Sequence, residues 1–178
     1  MNICNIKRTF IELRPKRNWN TIYWLVDVHG VIIPGSWHRE NDFQFIAPEC
    51  KEVLKWISNK NDQRLILWTS SYKTELDLLK IWLGSHGIIV DWINENPTEE
   101  HTEYADFSRK PYFNILIDDK GGMDPMYDWL LIGKEIENVT NDEVIEWTDE
   151  KKVRLKEAVN KISSDLNNLI TFPKNKKT

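Results

Sequence analysis

Four short clusters in this chain carry residue types that can do chemistry together: Asp27 with His29 and Gly30, Thr69 with Ser70, Lys110, and Asp118 with Asp119. A carboxylate can act as a nucleophile and form an aspartyl-phosphate, which splits one hard step into two easier ones. Further carboxylates supply the oxygen ligands that magnesium prefers at about 2.0–2.1 Å. A hydroxyl and a backbone N–H at a helix start can hold phosphate oxygens, and a lysine adds a compact positive charge for the same group. Phosphoryl transfer calls on all of these: an in-line nucleophile, neutralisation of the phosphate charge, and a proton for the leaving group. Each cluster also has an ordinary explanation. Asp is common in the turn after a strand, Thr69-Ser70-Ser71 suits a helix N-cap, the Asp pair near Gly121-Gly122 suits a solvated loop, and Lys110 suits a surface. The joint pattern is what points to chemistry.

The elements that must position these residues are legible as alternating strands and helices. Thr21 to Val26 is an apolar, β-branched and aromatic run without strict alternation, as expected of a strand buried on both faces of a parallel sheet. Pro34-Gly35 marks a turn, and Pro48 opens a helix predicted over 48–60. Arg64 to Trp68 reads as the second strand and 72–84 as the second helix, with Leu76, Leu79, Trp82 and Leu83 on one side. Ile88 to Ile93 reads as a third strand, Asn94 to Lys110 as a polar loop with room for a helical turn, and Phe113 to Ile117 as a fourth strand. Trp129 to Ile132 reads as a short fifth strand, and 148–170 as a long helix on the spacing of Leu155, Val159, Ile162, Leu166 and Leu169. This order predicts a mostly parallel sheet in one α/β domain over 1–172, with a lysine-rich tail at 173–178. Ligands of such sheets gather at the carboxyl ends of the strands, where Asp27, Thr69 and Asp118 fall.

These motifs resemble those of the haloacid dehalogenase superfamily. Asp27-Val28-His29-Gly30-Val31 resembles its first motif, an Asp-x-Asp-Gly-Thr/Val pattern. Leu65 to Ser70 resembles the second, Lys110 the third, and Ile117-Asp118-Asp119 the acidic fourth; the likeness runs from about Tyr23 to Asp119. It implies a three-layer, Rossmann-like fold and a magnesium-dependent phosphohydrolase. Carried over, Asp27 is nucleophile and metal ligand, the main-chain carbonyl of His29 and the carboxylate of Asp119 are further ligands, and Asp118 lies close by. Thr69 and Lys110 would bind the phosphoryl group, with Ser70, Gly30 and Trp37 as further substrate contacts.

His29 departs from the family pattern, where a second carboxylate acts as general acid and then base. The metal contact survives, because the family makes it with the main chain. Histidine has a suitable reference pKa of about 6.5, but a nearby dication disfavours imidazolium. Three readings follow: His29 works as acid and base; the enzyme acts on good leaving groups with weak acid help; or the domain binds a phospho-ligand or protein without turnover. A receiver-like domain, phosphorylated on Asp, is a further alternative, but its acidic pair would end the first strand rather than the fourth. His38, His86 and His101 carry no assigned role.

Access to the site is predicted to be open. Val31 to Ala47 and Asn94 to Arg109 are each too short for a helical cap, so at most a small flap covers the strand ends. In the family, open sites go with large phosphorylated substrates or with closure by a second subunit, so an oligomer is one way to complete the site. Glu95, Glu99, Glu100, Glu103 and Asp106 would repel polyanions if they border the mouth, which weighs against nucleic-acid ends and leaves small phosphates open. A net charge of -4 neither suggests nor rules out nucleic acid. Two cysteines without paired spacing, and no apolar run near the roughly 20 residues of a membrane span, lead us to expect a cytoplasmic protein without membrane contact. The nine tryptophans read as packing residues, except Trp37 in the loop after the first motif.

Overall fold

Ahead of the first strand the chain is helical, in a stretch to which the sequence pattern assigned no element. α1 (Ile3–Lys7) runs into a π-helical stretch (Arg8–Leu13) and then α2 (Arg14–Arg17). Ile6 and Thr9 are fully buried, and Asn18 ends the segment in the left-handed region with φ 52°. A computed structural model describes residues 3–35 and 43–170; the tail at 173–178 and Trp37 lie outside the described residues. The chain divides into two units, Met1–Glu146 and Trp147–Thr178.

β1 (Ile22–Asp27) is buried along its first five residues. β2 (Gln63–Trp68) pairs with all of it, from Ile22 opposite Gln63 to Asp27 opposite Trp68. β3 (Trp92–Ile93) pairs with β2, and β4 (Ile115–Ile117) lies on the other side of β1 with Val26 opposite Ile117. The order is β3-β2-β1-β4 with every pair parallel. α3 (Pro48–Asn59) connects β1 to β2, and α4 (Lys73–Ser85) connects β2 to β3. The result is an α/β fold of three-layer, Rossmann-like type, with no large cap evident among the described residues.

Both edge strands are shorter than the apolar runs predicted, for the same reason. The Asp91 side chain accepts the Leu65 N–H at 2.8 Å, so β2 is satisfied there without a full ladder; Ile89 is exposed. The Asn114 carboxamide likewise accepts the Tyr23 N–H at 2.7 Å before β4 begins. The run Trp129 to Ile132 is not a fifth strand but the middle of α5 (Pro125–Thr140). Asp124 caps that helix by accepting the Met126 N–H, and Pro125 occupies its first turn. Four consecutive apolar residues do not distinguish a buried strand from a buried helix, and here Trp129, Leu130, Leu131 and Ile132 are all buried. Residues 94–110 hold turns and an isolated Thr102–Ala105 bridge, without a helical turn.

The core lies between sheet and helices. α3 packs on β2 and α5, and α1 on α5. Trp24 is fully buried, donates its indole N–H to Gln63 Oε1 at 2.7 Å, and meets Trp56 edge-on at 6.4 Å. Tyr23, Leu25 and Ile66 form the opposite face, against which Trp68, Trp92, Tyr112 and Phe113 pack. The second unit holds α6 (Asp149–Ile170), a 22-residue helix. Among the described residues no helix is long and apolar enough to cross a membrane.

Candidate active site

The chain runs outward from β1 through β2 to β3, then returns to place β4 against the far side of β1. β1 and β4 therefore flank the topological switch point, where open parallel sheets form a crevice beyond their carboxyl ends. Register does the rest. Val26 opposite Ile117 brings Asp27 beside Asp118, and Asp27 opposite Trp68 brings it beside Thr69. Carboxylate oxygens of Asp27, Asp118 and Asp119, one from each, lie within 4.8 Å of one another.

Three acidic groups this close repel, and the local structure answers in part. Burial first, and then the charges of Asp118 and Asp119, push the Asp27 carboxyl above the usual carboxylate range, against the pull of the Val28 N–H and Lys120. Asp118 accepts the Lys120 backbone N–H at 2.7 Å. Lys120 Nζ reaches Asp119 Oδ2 at 2.5 Å, and that carboxylate raises the lysine's own pKa. The other Asp119 oxygen, Oδ1, is buried without a hydrogen-bond partner. An unsatisfied carboxylate oxygen inside an all-oxygen cluster fits the ligand set of a hard divalent cation. Among the described residues, the side chains of Asp27, Asp118 and Asp119 form the group able to hold one.

Gly30 is fixed by this arrangement. Its φ is +83°, a region that other residues rarely adopt, and a Cβ there would lie 3.0 Å from Asp119 Oδ2. The loop around it curls back on Val28, whose carbonyl accepts from Ile32 N at 2.9 Å and Ile33 N at 3.1 Å. Trp129 of α5 donates its indole N–H to the Val31 carbonyl at 2.9 Å, pinning the loop from below.

A cavity of about 490 Å³ opens beside the carboxylates, lined by Asp27, Asp118, Thr69 and Ser70 and by Trp68, Asn94, Arg109 and Lys120. Thr69 is held in place: its N–H donates to the Asn94 carboxamide at 2.8 Å, and its carbonyl accepts from that side chain at 2.7 Å. Asn94 adopts the left-handed conformation, φ 59°, right after β3. The sequence reading passed over it, although a polar residue tolerant of positive φ at a strand end was the available signal.

The structure does not bring Lys110 into this cavity. Its Nζ lies over the Phe113 ring, 5.3 Å from the centroid, and it lines a different cavity with Tyr112 and Phe113. Among the described residues, Arg109 and Lys120 are the cationic side chains that line the Asp27 cavity. His29 reaches toward α4, where its Nε2 lies 3.4 Å from Glu75 Oε1, a contact no sequence pattern announced. Of the expected residues, Asp27, Asp118, Asp119, Thr69, Ser70 and Gly30 converge; His29 stands at the margin with Glu75, and Lys110 stands apart.

Fold and crevice define the class: a Rossmann-like α/β protein with a carboxylate cluster at its switch point. Among solved structures the chain is similar to one from Bacteroides thetaiotaomicron, described as a conserved protein, with 27% identity and a TM-score of 0.50. The likeness covers 72% of this chain and all of the other. No protein-family model and no curated protein matches the chain.

Proposed function

We propose that this chain is a magnesium-dependent phosphohydrolase or phosphotransferase of the haloacid dehalogenase type, working through an aspartyl-phosphate on Asp27. The observation that carries the reading is the convergence of Asp27, Asp118 and Asp119 within 4.8 Å, with Asp27 and Asp118 lining a cavity together with Thr69 and Ser70. The resemblance of the first, second and fourth motifs supports it, while Lys110 of the third lies outside the cavity.

In this reading the Asp27 carboxylate attacks phosphorus in line, and the bond to the leaving oxygen breaks as the Asp27–phosphate bond forms. Thr69 and Ser70 hold the phosphoryl oxygens. His29 gives a proton to the leaving oxygen and takes one from the water that then cleaves the aspartyl-phosphate, releasing phosphate and restoring Asp27. Glu75 steadies the imidazole. Asp27, Asp118 and Asp119 would hold the magnesium ion, which would supply charge neutralisation for the phosphoryl oxygens.

A second reading has a specific observation behind it. His29 points to Glu75 and does not line the Asp27 cavity, which favours a phospho-ligand or protein-binding module with impaired catalysis. Hydrolysis of p-nitrophenyl phosphate with magnesium separates the two. Turnover by the wild type that Asp27→Asn abolishes is expected of the enzyme; no turnover across a broad phosphate panel overturns it in favour of the binding module.

A further inference from the structure

Lys120 follows the acidic pair directly, and the sequence patterns gave it no part. Its ammonium sits 2.5 Å from Asp119 Oδ2, while its side chain is 83% exposed and so free to move. The same residue lines the cavity with Asp27, Thr69 and Ser70. It therefore stands between two sets of partners: the carboxylates behind it and whatever anion occupies the space in front. A lysine head group is a compact point charge on a flexible stem, suited to exchanging one oxygen partner for another.

Resting on the phosphotransfer reading above, we propose that Lys120 is a built-in counter-cation, which competes with the divalent cation for Asp119 and is handed on to the phosphate when it yields. While Lys120 holds Asp119 Oδ2, the carboxylate shares its charge with an ammonium and is fixed in one orientation, so cation binding through the unpartnered Oδ1 is weakened. Once the carboxylate turns to a divalent cation, Nζ is released beside the cavity, where phosphate oxygens accept its protons. An anion that draws Lys120 forward leaves Asp119 open in turn. Cation and phosphate thus strengthen each other's binding through one side chain, and linkage requires the effect to be mutual. With Lys110 occupied over Phe113, Lys120 and Arg109 are the cationic side chains that line this cavity among the described residues, and the ion pair recorded to Asp119 is made by Lys120.

The test is calorimetric titration of the full chain with magnesium chloride alone, without substrate, comparing wild type, Lys120→Gln and Arg109→Gln. The exposure of Lys120 lets it be replaced without disturbing the core, and circular dichroism verifies the fold. Removing an exposed ion pair is expected to tighten magnesium binding about two- to fivefold in Lys120→Gln. Arg109→Gln removes the same charge from the same cavity without touching Asp119, and its effect is expected to be clearly smaller. Inorganic phosphate is then titrated with and without magnesium: the gain that magnesium brings in the wild type should shrink in Lys120→Gln. Magnesium affinity unchanged or weakened in Lys120→Gln, or tightened equally in Arg109→Gln, overturns the proposal while leaving the cation site intact. Failure of the wild type and both variants to bind magnesium sinks the cation site itself, and the counter-cation with it.

Discussion

Replacing Asp27 by Asn should stabilise the protein in the presence of a chelator, although it destroys the proposed nucleophile. Even at 4.8 Å, the outer limit of the cluster, unit charges repel by about 1 kcal/mol at the permittivity of water and about 3–4 kcal/mol at an effective value near 20. The cluster is half-buried at the sheet edge, and Lys120 and the Val28 N–H offset part of the repulsion. A net gain of about 1–2 kcal/mol from neutralising Asp27 is the outcome, or about 2–8 °C in Tm for a chain of this size. The pH dependence has a definite sign. Because the folded carboxyl is raised above its ordinary value, the folded state holds the Asp27 proton more tightly than the unfolded state does. The wild type is thus at no disadvantage below the ordinary carboxylate pKa, and loses stability relative to Asp27→Asn as pH rises through the folded value. Thermal melts of both proteins in chelator, from acidic to neutral pH, measure the gap. A variant that melts at or below the wild type at neutral pH, or a gap that does not close on acidification, refutes the account of the cluster.

Two other predictions test the neighbours of the carboxylates. Gly30→Ala puts a Cβ 3.0 Å from Asp119 Oδ2 on a backbone with φ +83°, and should cost about 1–3 kcal/mol in chemical denaturation; an unchanged midpoint contradicts it. His29, tied to Glu75, should protonate poor leaving groups badly, so aryl phosphates and anhydrides should be hydrolysed at least about tenfold faster than alkyl monoesters, with His29→Asp narrowing the difference. Equal initial rates on both classes in the wild type would refute this.

The strand ends were readable because a strand buried on both faces declares itself as an apolar run, and the first polar residue after it marks the crevice. Asp27, Thr69 and Asp118 were each found this way, and the register of β1 with β2 and β4 aligns them. Other parts depend on contacts that no local pattern encodes. Arg109 and Lys110 are neighbours in a turn-rich segment without periodicity, so nothing in the sequence says which of them faces Asp27. The pairing of His29 with Glu75 joins the loop after β1 to the first turn of α4, a meeting created only by the sheet. Trp129 to Ile132 misled because this turn of α5 is buried all round, with no polar residue to reveal the helical period within four positions.

β1 is held to β2 along six paired positions but to β4 along three. The two halves of the carboxylate cluster sit on opposite banks of that narrower seam, so fraying of β4 would scatter the site while the rest of the sheet stayed zipped. Any ligand that bridges the two banks acts as a suture. Amide protection in Ile115–Ile117 should therefore climb with occupancy of the crevice, giving hydrogen exchange a direct view of binding that needs no turnover.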